Sequence, residues 1–191
     1  TSSALKKKTA DHSALSQKIK DLMASGQFVS DDIIFEVVSD ALTDATYQYG
    51  VVFDGFPRTL PQAEFFKKNN QLIDLFVHLE MDDELIVERM QGRRVHMPSG
   101  RVYHIKNRPP KVEGLDDVTG EPLEQRSDDQ EDIVRSRLQD YHRLTKPILD
   151  WALNEQQTNG VVKHMIKLDA AQPFTDVWHD FIKQVTGLLD L

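Results

Sequence analysis

The chain of 191 residues has no cysteine, which excludes disulfides and thiolate metal sites and suits a reducing compartment. It has no apolar run long enough to span a membrane and no signal-peptide pattern. Basic residues form no block longer than Lys6-Lys7-Lys8 and no stripe interleaved with aromatics. With a net charge of −8, nucleic-acid binding is excluded as the main business. Internal repeats and low-complexity tracts are also absent. What is present is 39% hydrophobic residues, enough for one core or a core with an insert.

Helical and strand periods alternate, as α/β proteins require. Leu15, Ile19, Leu22 and Met23 share one face, so 13–25 reads as an amphipathic helix ended by Gly26. Ser30 is placed to cap the next helix, with Asp31 and Asp32 in its first turn, Val29 stapling onto Ile34, and Ile33, Val37, Val38 and Leu42 as the buried face. Strands are expected near 50–53 and 74–79. Asp82 should cap a short helix carrying Leu85, Ile86 and Met90, with Met81 as its staple. Residues 92–127 lack a helical stripe and are rich in Gly, Pro and charge, which reads as an inserted lid. Ser127 and Gln130 have the spacing of a capping box, starting a long helix to about 153. Val161–Lys167 is the last strand, before a closing helix over 173–188.

The most informative stretch is Phe53-Asp54-Gly55-Phe56-Pro57-Arg58-Thr59. An apolar run ends at Asp54, Gly55 permits a sharp turn, Pro57 fixes the next φ and Arg58 is left projecting. An Arg after a strand of an α/β sheet lies where such folds bind ligands, and its planar fork suits phosphate better than Lys does. Gln62 follows four residues later, its amide offering a donor beside an acceptor, as adenine's pairing edge does. Further on, Gly92-Arg93-Arg94-Val95-His96, Pro98-Ser99-Gly100-Arg101-Val102-Tyr103-His104, Pro109-Pro110-Lys111-Val112, Asp116-Asp117-Val118-Thr119-Gly120-Glu121 and Asp128-Asp129-Gln130-Glu131 succeed one another. In this order they resemble the long-lid bacterial adenylate kinases over nearly the whole chain.

The resemblance implies a P-loop NTPase-like three-layer α/β/α fold with a parallel sheet and an inserted lid. Its parts would be an AMP-binding segment over 1–29, a core of 30–91 with 128–191, and the lid at 92–127. No Gly-x-x-x-x-Gly-Lys-[Ser/Thr] loop occurs, although the family carries one on its first strand. Thr1 matches the Thr after the family's second strand, so the expectation is a chain truncated at its amino terminus and an incomplete sheet. In it, 74–79 and 161–167 would keep each other while 50–53 loses both neighbours.

The implied reaction is MgATP + AMP giving two ADP, a phosphoryl transfer carried by positioned positive charge. Arg89 and Arg93, four apart, read as one helical face shared with Leu85, and Arg137 as part of the stripe of Val134, Leu138 and Tyr141. By resemblance, Arg58, Arg93, Arg126, Arg137 and Asp54 serve catalysis. AMP would meet Thr1, Lys6, Gln27, Phe28, Val29, Gly55, Phe56, Pro57, Arg58, Gln62, Arg126 and Arg137; ATP would meet Arg89, Arg93, Val102, Tyr103 and Gln172. Lys6 stands where the family typically has Arg, and Ser2-Ser3 replaces Gly-Asp. Asp54 is either a turn-forming residue or, by resemblance, a group holding the waters of Mg²⁺. His96, Ser99, Asp116 and Thr119 have zinc-ribbon spacing, but hydroxyls are poor zinc ligands, so a hydrogen-bond network without zinc is expected. His104 reads as structural, and Asn107 sits where some relatives have an aromatic. The remaining implications are ATP and AMP/ADP as partners, no membrane or nucleic acid, a monomer, and the cytoplasm. Two alternatives stay open: a nucleoside-monophosphate kinase of other base specificity, and a non-catalytic nucleotide-binding remnant lacking the phosphate loop.

Overall fold

A computed structural model describes residues 31–43 and 49–189, and the helix expected over 13–25, the Val29 staple and the Ser30 cap lie outside them. Within that range the elements are α1 (Asp31–Thr43), α2 (Leu60–Lys68), β1 (Ile73–Glu80), α3 (Asp83–Gly92), β2 (Arg93–His96), β3 (Arg101–His104), α4 (Glu131–Asp140), α5 (Pro147–Gln157), β4 (Val162–Asp169) and α6 (Phe174–Leu189). The α/β class expected from the sequence is the class observed. The described residues form two compact units: those up to Asp74 with Leu144–Lys163, and Leu75–Arg143 with those from His164 on.

In the first unit, α1 buries Ile33, Val37 and Val38, three of the four positions its apolar spacing marks out. Thr59 caps α2 by accepting from the Gln62 N–H, and Pro61 falls in the first turn, where its missing donor costs nothing. Phe53, Phe56, Phe65 and Phe66 pack with ring centroids 5.3–6.3 Å apart, and Phe35 of α1 stacks on Phe65 at 4.8 Å. Offset and edge contacts of this kind add to plain area burial. The helices α2 and α5 are tied by Lys67 Nζ to Glu155 Oε1 at 2.7 Å and by Trp151 Nε1 donating to Glu64 Oε1 at 2.9 Å. Glu155 is almost fully buried and also accepts from the Val161 N–H. The Lys67 bond holds its carboxyl below the usual range against the opposing effect of burial, with the Val161 N–H assisting.

In the second unit, β1 and β4 pair in parallel, as expected for 74–79 and 161–167, and among the described residues they form a sheet of two strands. Ile166 and Leu168 are buried, whereas Val77 and Leu79 are exposed. Asp82 caps α3 by accepting from Glu84 N at 2.9 Å, as its position predicts. Arg135 of α4 reaches Glu84 of α3 and Glu131 of its own helix, joining the two elements. The β2–β3 hairpin is antiparallel, pairing Arg93 with His104 and His96 with Arg101. A third segment is added by the Val95–Glu124 bridge, so the stretch read as a lid is a small β structure.

Five readings need correction. Residues 51–53 form no strand, and Val52 is 93% exposed. Strand character belongs to a ladder, and no described segment pairs with this one. Helix α3 stops at Gly92, and Arg93 adopts extended backbone (φ −70°, ψ 138°), so Arg89 and Arg93 do not share a helical face. Leu85 is exposed, and Val87 is the buried residue of α3. Ser127 and Gln130 make no capping box, because Ser127–Asp129 is a 3₁₀ turn and Gln130 caps α4 without a side-chain bond. The long helix ends at Asp140, passes through a π-type segment over Tyr141–Thr145 and resumes at Pro147, whose missing N–H breaks the regular ladder. Arg137 is exposed and lies outside the stripe begun by Val134.

Candidate functional site

The Asp54–Thr59 turn is locked by its own backbone. Gly55 has φ +71°, a conformation open to Gly at no steric cost, and its carbonyl accepts from Arg58 Nε at 2.9 Å. A Cβ at Gly55 would lie 2.6 Å from Arg58 Nη2, so the guanidinium lies over the glycine. Behind it, Phe56 is buried in the aromatic cluster, and the Phe56–Pro57 peptide is cis. The Arg58 carbonyl accepts from Thr145 Oγ1 at 2.8 Å. The Arg58 N–H donates to Gln62 Oε1 at 2.7 Å, while Gln62 Nε2 donates to Asp31 Oδ1 at 2.7 Å. Gln62 is thus buried and bonded, where its place in a first helical turn suggests a solvated residue. Asp54 and Arg58 are exposed. Thr1, Lys6, Gln27, Phe28 and Val29 lie outside the described residues.

The second unit forms an open cavity of about 1000 Å³. Arg89, Arg93, Val102, Tyr103 and Gln172, the five residues expected around ATP, all line it. Arg89 is aimed by donating to the carbonyls of Ala170 and Ala171, each at 2.8 Å. Arg93 forms a bidentate pair with Asp129, a carboxylate with no solvent exposure. Apolar walls come from β1, β4 and α6, including Leu79, Leu168 and Phe181. A cleft with apolar sides and a few convergent cations is the form of a ligand site. Asn107 is also in its lining. Arg126 and Arg137 are both exposed; Arg126 pairs with Asp128 at 3.1 Å, and Arg137 is unpaired among the described residues.

His104 faces this cavity as well. Its Nδ1 accepts from the N–H groups of Lys106 and Asn107, each at 3.0 Å, which leaves the proton on Nε2. Nε2 is buried, packed where a side chain on Gly92 would sit, and without a partner among the described residues. Burial first, then the charges of Lys106 and Arg89, push its pKa down, so the ring is neutral near pH 7.

The four polar lid positions are brought together. His96 bonds Ser99 Oγ through Nδ1 at 2.7 Å and Glu121 Oε2 through Nε2 at 2.6 Å, and Thr119 Oγ1 donates to Asp116 Oδ2 at 2.9 Å. Asp116 also takes both arms of Arg101 at 2.8 and 2.7 Å, the Tyr103 hydroxyl at 2.9 Å and the N–H of Thr119 at 2.8 Å. The Arg101 bonds foremost, then those from Thr119 and Tyr103, hold the Asp116 carboxyl far below its usual range despite burial. The expected network therefore exists, enlarged by Arg101, Tyr103 and Glu121.

Sequence reasoning placed Asp31 in a first helical turn and Asp129 and Arg101 inside motifs, but gave none of them a role in the site. Asp129 sits inside a quoted motif, but its partner is 36 residues away; Asp31 reaches Gln62 across 31.

An α/β unit with a cationic cleft, together with a second unit that presents an Arg on a glycine turn, fits a nucleotide-binding class of protein. The adenylate kinase family model matches residues 1–157. The chain belongs to the adenylate kinase family, whose P-loop NTPase-like fold is consistent with the parallel strand pair and helices described above.

Proposed function

We propose that this chain binds MgATP and AMP and that its residues serve phosphoryl transfer between them to give two ADP. The observation that supports this best is the convergence of Arg89, Arg93, Val102, Tyr103 and Gln172 on one cavity. Membership of the family supports a nucleoside-monophosphate kinase type of activity.

In this reading Arg58 takes the monophosphate with its fork, held over Gly55, and Gln62 reads the base. Two bonds already occupy the Gln62 amide, yet each of its ends keeps one N–H or lone pair for a ligand. Arg93 meets the triphosphate, with Asp129 fixing its rotamer, and Arg89 lies against the donor nucleotide. Arg126, exposed and paired with the half-buried Asp128, and Arg137, exposed, are the cations that this reading assigns to the transferring group. Several fixed cations around developing charge are what this chemistry requires of a protein.

The exposed carboxylate of Asp54 fits a hard cation held through water, which is how Mg²⁺ is usually bound beside phosphates. When bound with ATP, that ion neutralises phosphate charge. Zinc does not fit the lid: both ring nitrogens of His96 are engaged, Ser99 and Thr119 offer only hydroxyls, and Asp116 is saturated. AMP rather than another acceptor, a single-chain state and a cytoplasmic setting rest on the family resemblance.

The 191 residues contain no phosphate-cradling loop with its Lys. A polypeptide of these residues alone is therefore expected to turn over at least ~10³-fold more slowly than one supplied with such a loop. A coupled ADP assay on the two polypeptides tests this. Equal, rapid turnover by the 191 residues would overturn it, and no turnover with the loop present would favour the binding-remnant reading.

A further inference from the structure

We propose that Asp31 is a specificity-determining positioning residue that makes the acceptor pocket select a 6-aminopurine nucleotide over a 6-oxopurine one. The inference rests on the reading that Gln62 meets the base of AMP. Gln62 is only 6% exposed, and both ends of its amide are engaged at 2.7 Å. Its oxygen faces an N–H, that of Arg58, which can only donate; its nitrogen faces a carboxylate, which can only accept. Rotating the amide by half a turn would set oxygen against oxygen at Asp31 and N–H against N–H at Arg58. Two repulsive contacts at that distance in a buried setting leave one orientation.

What remains for a ligand is one lone pair on the oxygen and one N–H on the nitrogen, in a fixed order. Adenine presents an amino donor at position 6 and an acceptor at N1, which matches that order. A 6-oxopurine presents an acceptor at position 6 and a donor at N1, so both bonds fail unless the amide turns over. Of the two groups that stop it turning, the Arg58 N–H is backbone and cannot be varied by selection on side chains. Asp31 is a side chain, set in the first turn of α1, where a carboxylate is favoured by the helix terminus. The Asp31 carboxylate therefore supplies the half of the discrimination that a side chain can set, beside the Arg58 N–H, without itself touching the nucleotide.

The test is calorimetric titration of the 191-residue chain with AMP, IMP and ribose 5-phosphate, for the native sequence and for Asp31→Asn and Asp31→Ala. Asn can donate or accept and so no longer dictates the amide's orientation. The native chain is expected to favour AMP over IMP by about tenfold or more, and both variants, in which the Arg58 N–H alone still orients the amide, to lower that ratio about threefold or more, with ribose 5-phosphate affinity unchanged. A purely structural role would weaken all three ligands together and leave the ratio intact. An unchanged ratio in Asp31→Asn, or equal AMP and IMP binding by the native chain, overturns the inference while leaving the acceptor site standing. Failure of the native chain to bind either nucleotide overturns the reading of the acceptor site and this inference with it.

Discussion

Replacing Gly55 by Ala should separate the two roles of the Arg58 turn. At φ +71° an Ala costs about 1–2 kcal/mol in backbone strain. For a chain of this size each kcal/mol lowers Tm by roughly 2–4 °C, so the strain predicts a fall of about 2–8 °C. The second effect is local. The new methyl would lie 2.6 Å from Arg58 Nη2, too close to keep, and the guanidinium is the part free to move. Its displacement breaks the 2.9 Å bond from Nε to the Gly55 carbonyl that aims the fork. A charge-assisted phosphate bond is worth about 1.5–3 kcal/mol, so a misplaced fork should weaken AMP binding by roughly 10- to 150-fold. Titration calorimetry with AMP, run with thermal unfolding, reads both quantities. Arg58→Lys, which keeps the charge without the fork, should lose affinity to a similar extent with little change in Tm. AMP affinity within twofold of native in Gly55→Ala would refute the claim that this turn aims Arg58 at phosphate.

Two further predictions concern the lid and the α2–α5 tie. Purified protein should carry less than about 0.1 equivalent of zinc, with Tm unaffected by a chelator; near-stoichiometric zinc by metal analysis would contradict the Asp116-centred network. Glu155 has a depressed folded pKa, so its contribution is complete above the unfolded carboxylate value of about 4.3 and is lost as pH falls through the folded value. Glu155→Gln should therefore lower stability at pH 7 and make it less pH-dependent below about pH 4.3, measured by urea unfolding; a native acid limb in the variant would refute this.

Most local signals survived the comparison with the structure, the Ser127–Gln130 capping box excepted, while several that depend on a distant partner did not. The apolar face of α1, the Asp82 cap and the extent of β4 and α6 follow from period and capping chemistry within a few residues. Val51-Val52-Phe53 has the composition of a strand, but strand state needs a neighbour, which composition cannot supply. The four-residue spacing of Arg89 and Arg93 meant one face only if the helix continued past Gly92. The five residues expected around ATP from motif order converge on one cavity, although Arg93 reaches it from extended backbone. Asp31 and Asp129 were illegible because their role is set by partners more than 30 positions away, which no local period reveals.

The central claim is that two separate groups of residues receive two different nucleotides. Backbone and side-chain NMR shifts followed through titration with MgATP, and separately with AMP, test it most directly. MgATP should perturb Arg89, Arg93, Val102, Tyr103 and Gln172, which line the cavity, and AMP should perturb Gly55, Arg58 and Gln62. Perturbation of a single common set by both nucleotides, or of neither set at millimolar ligand, would contradict the account.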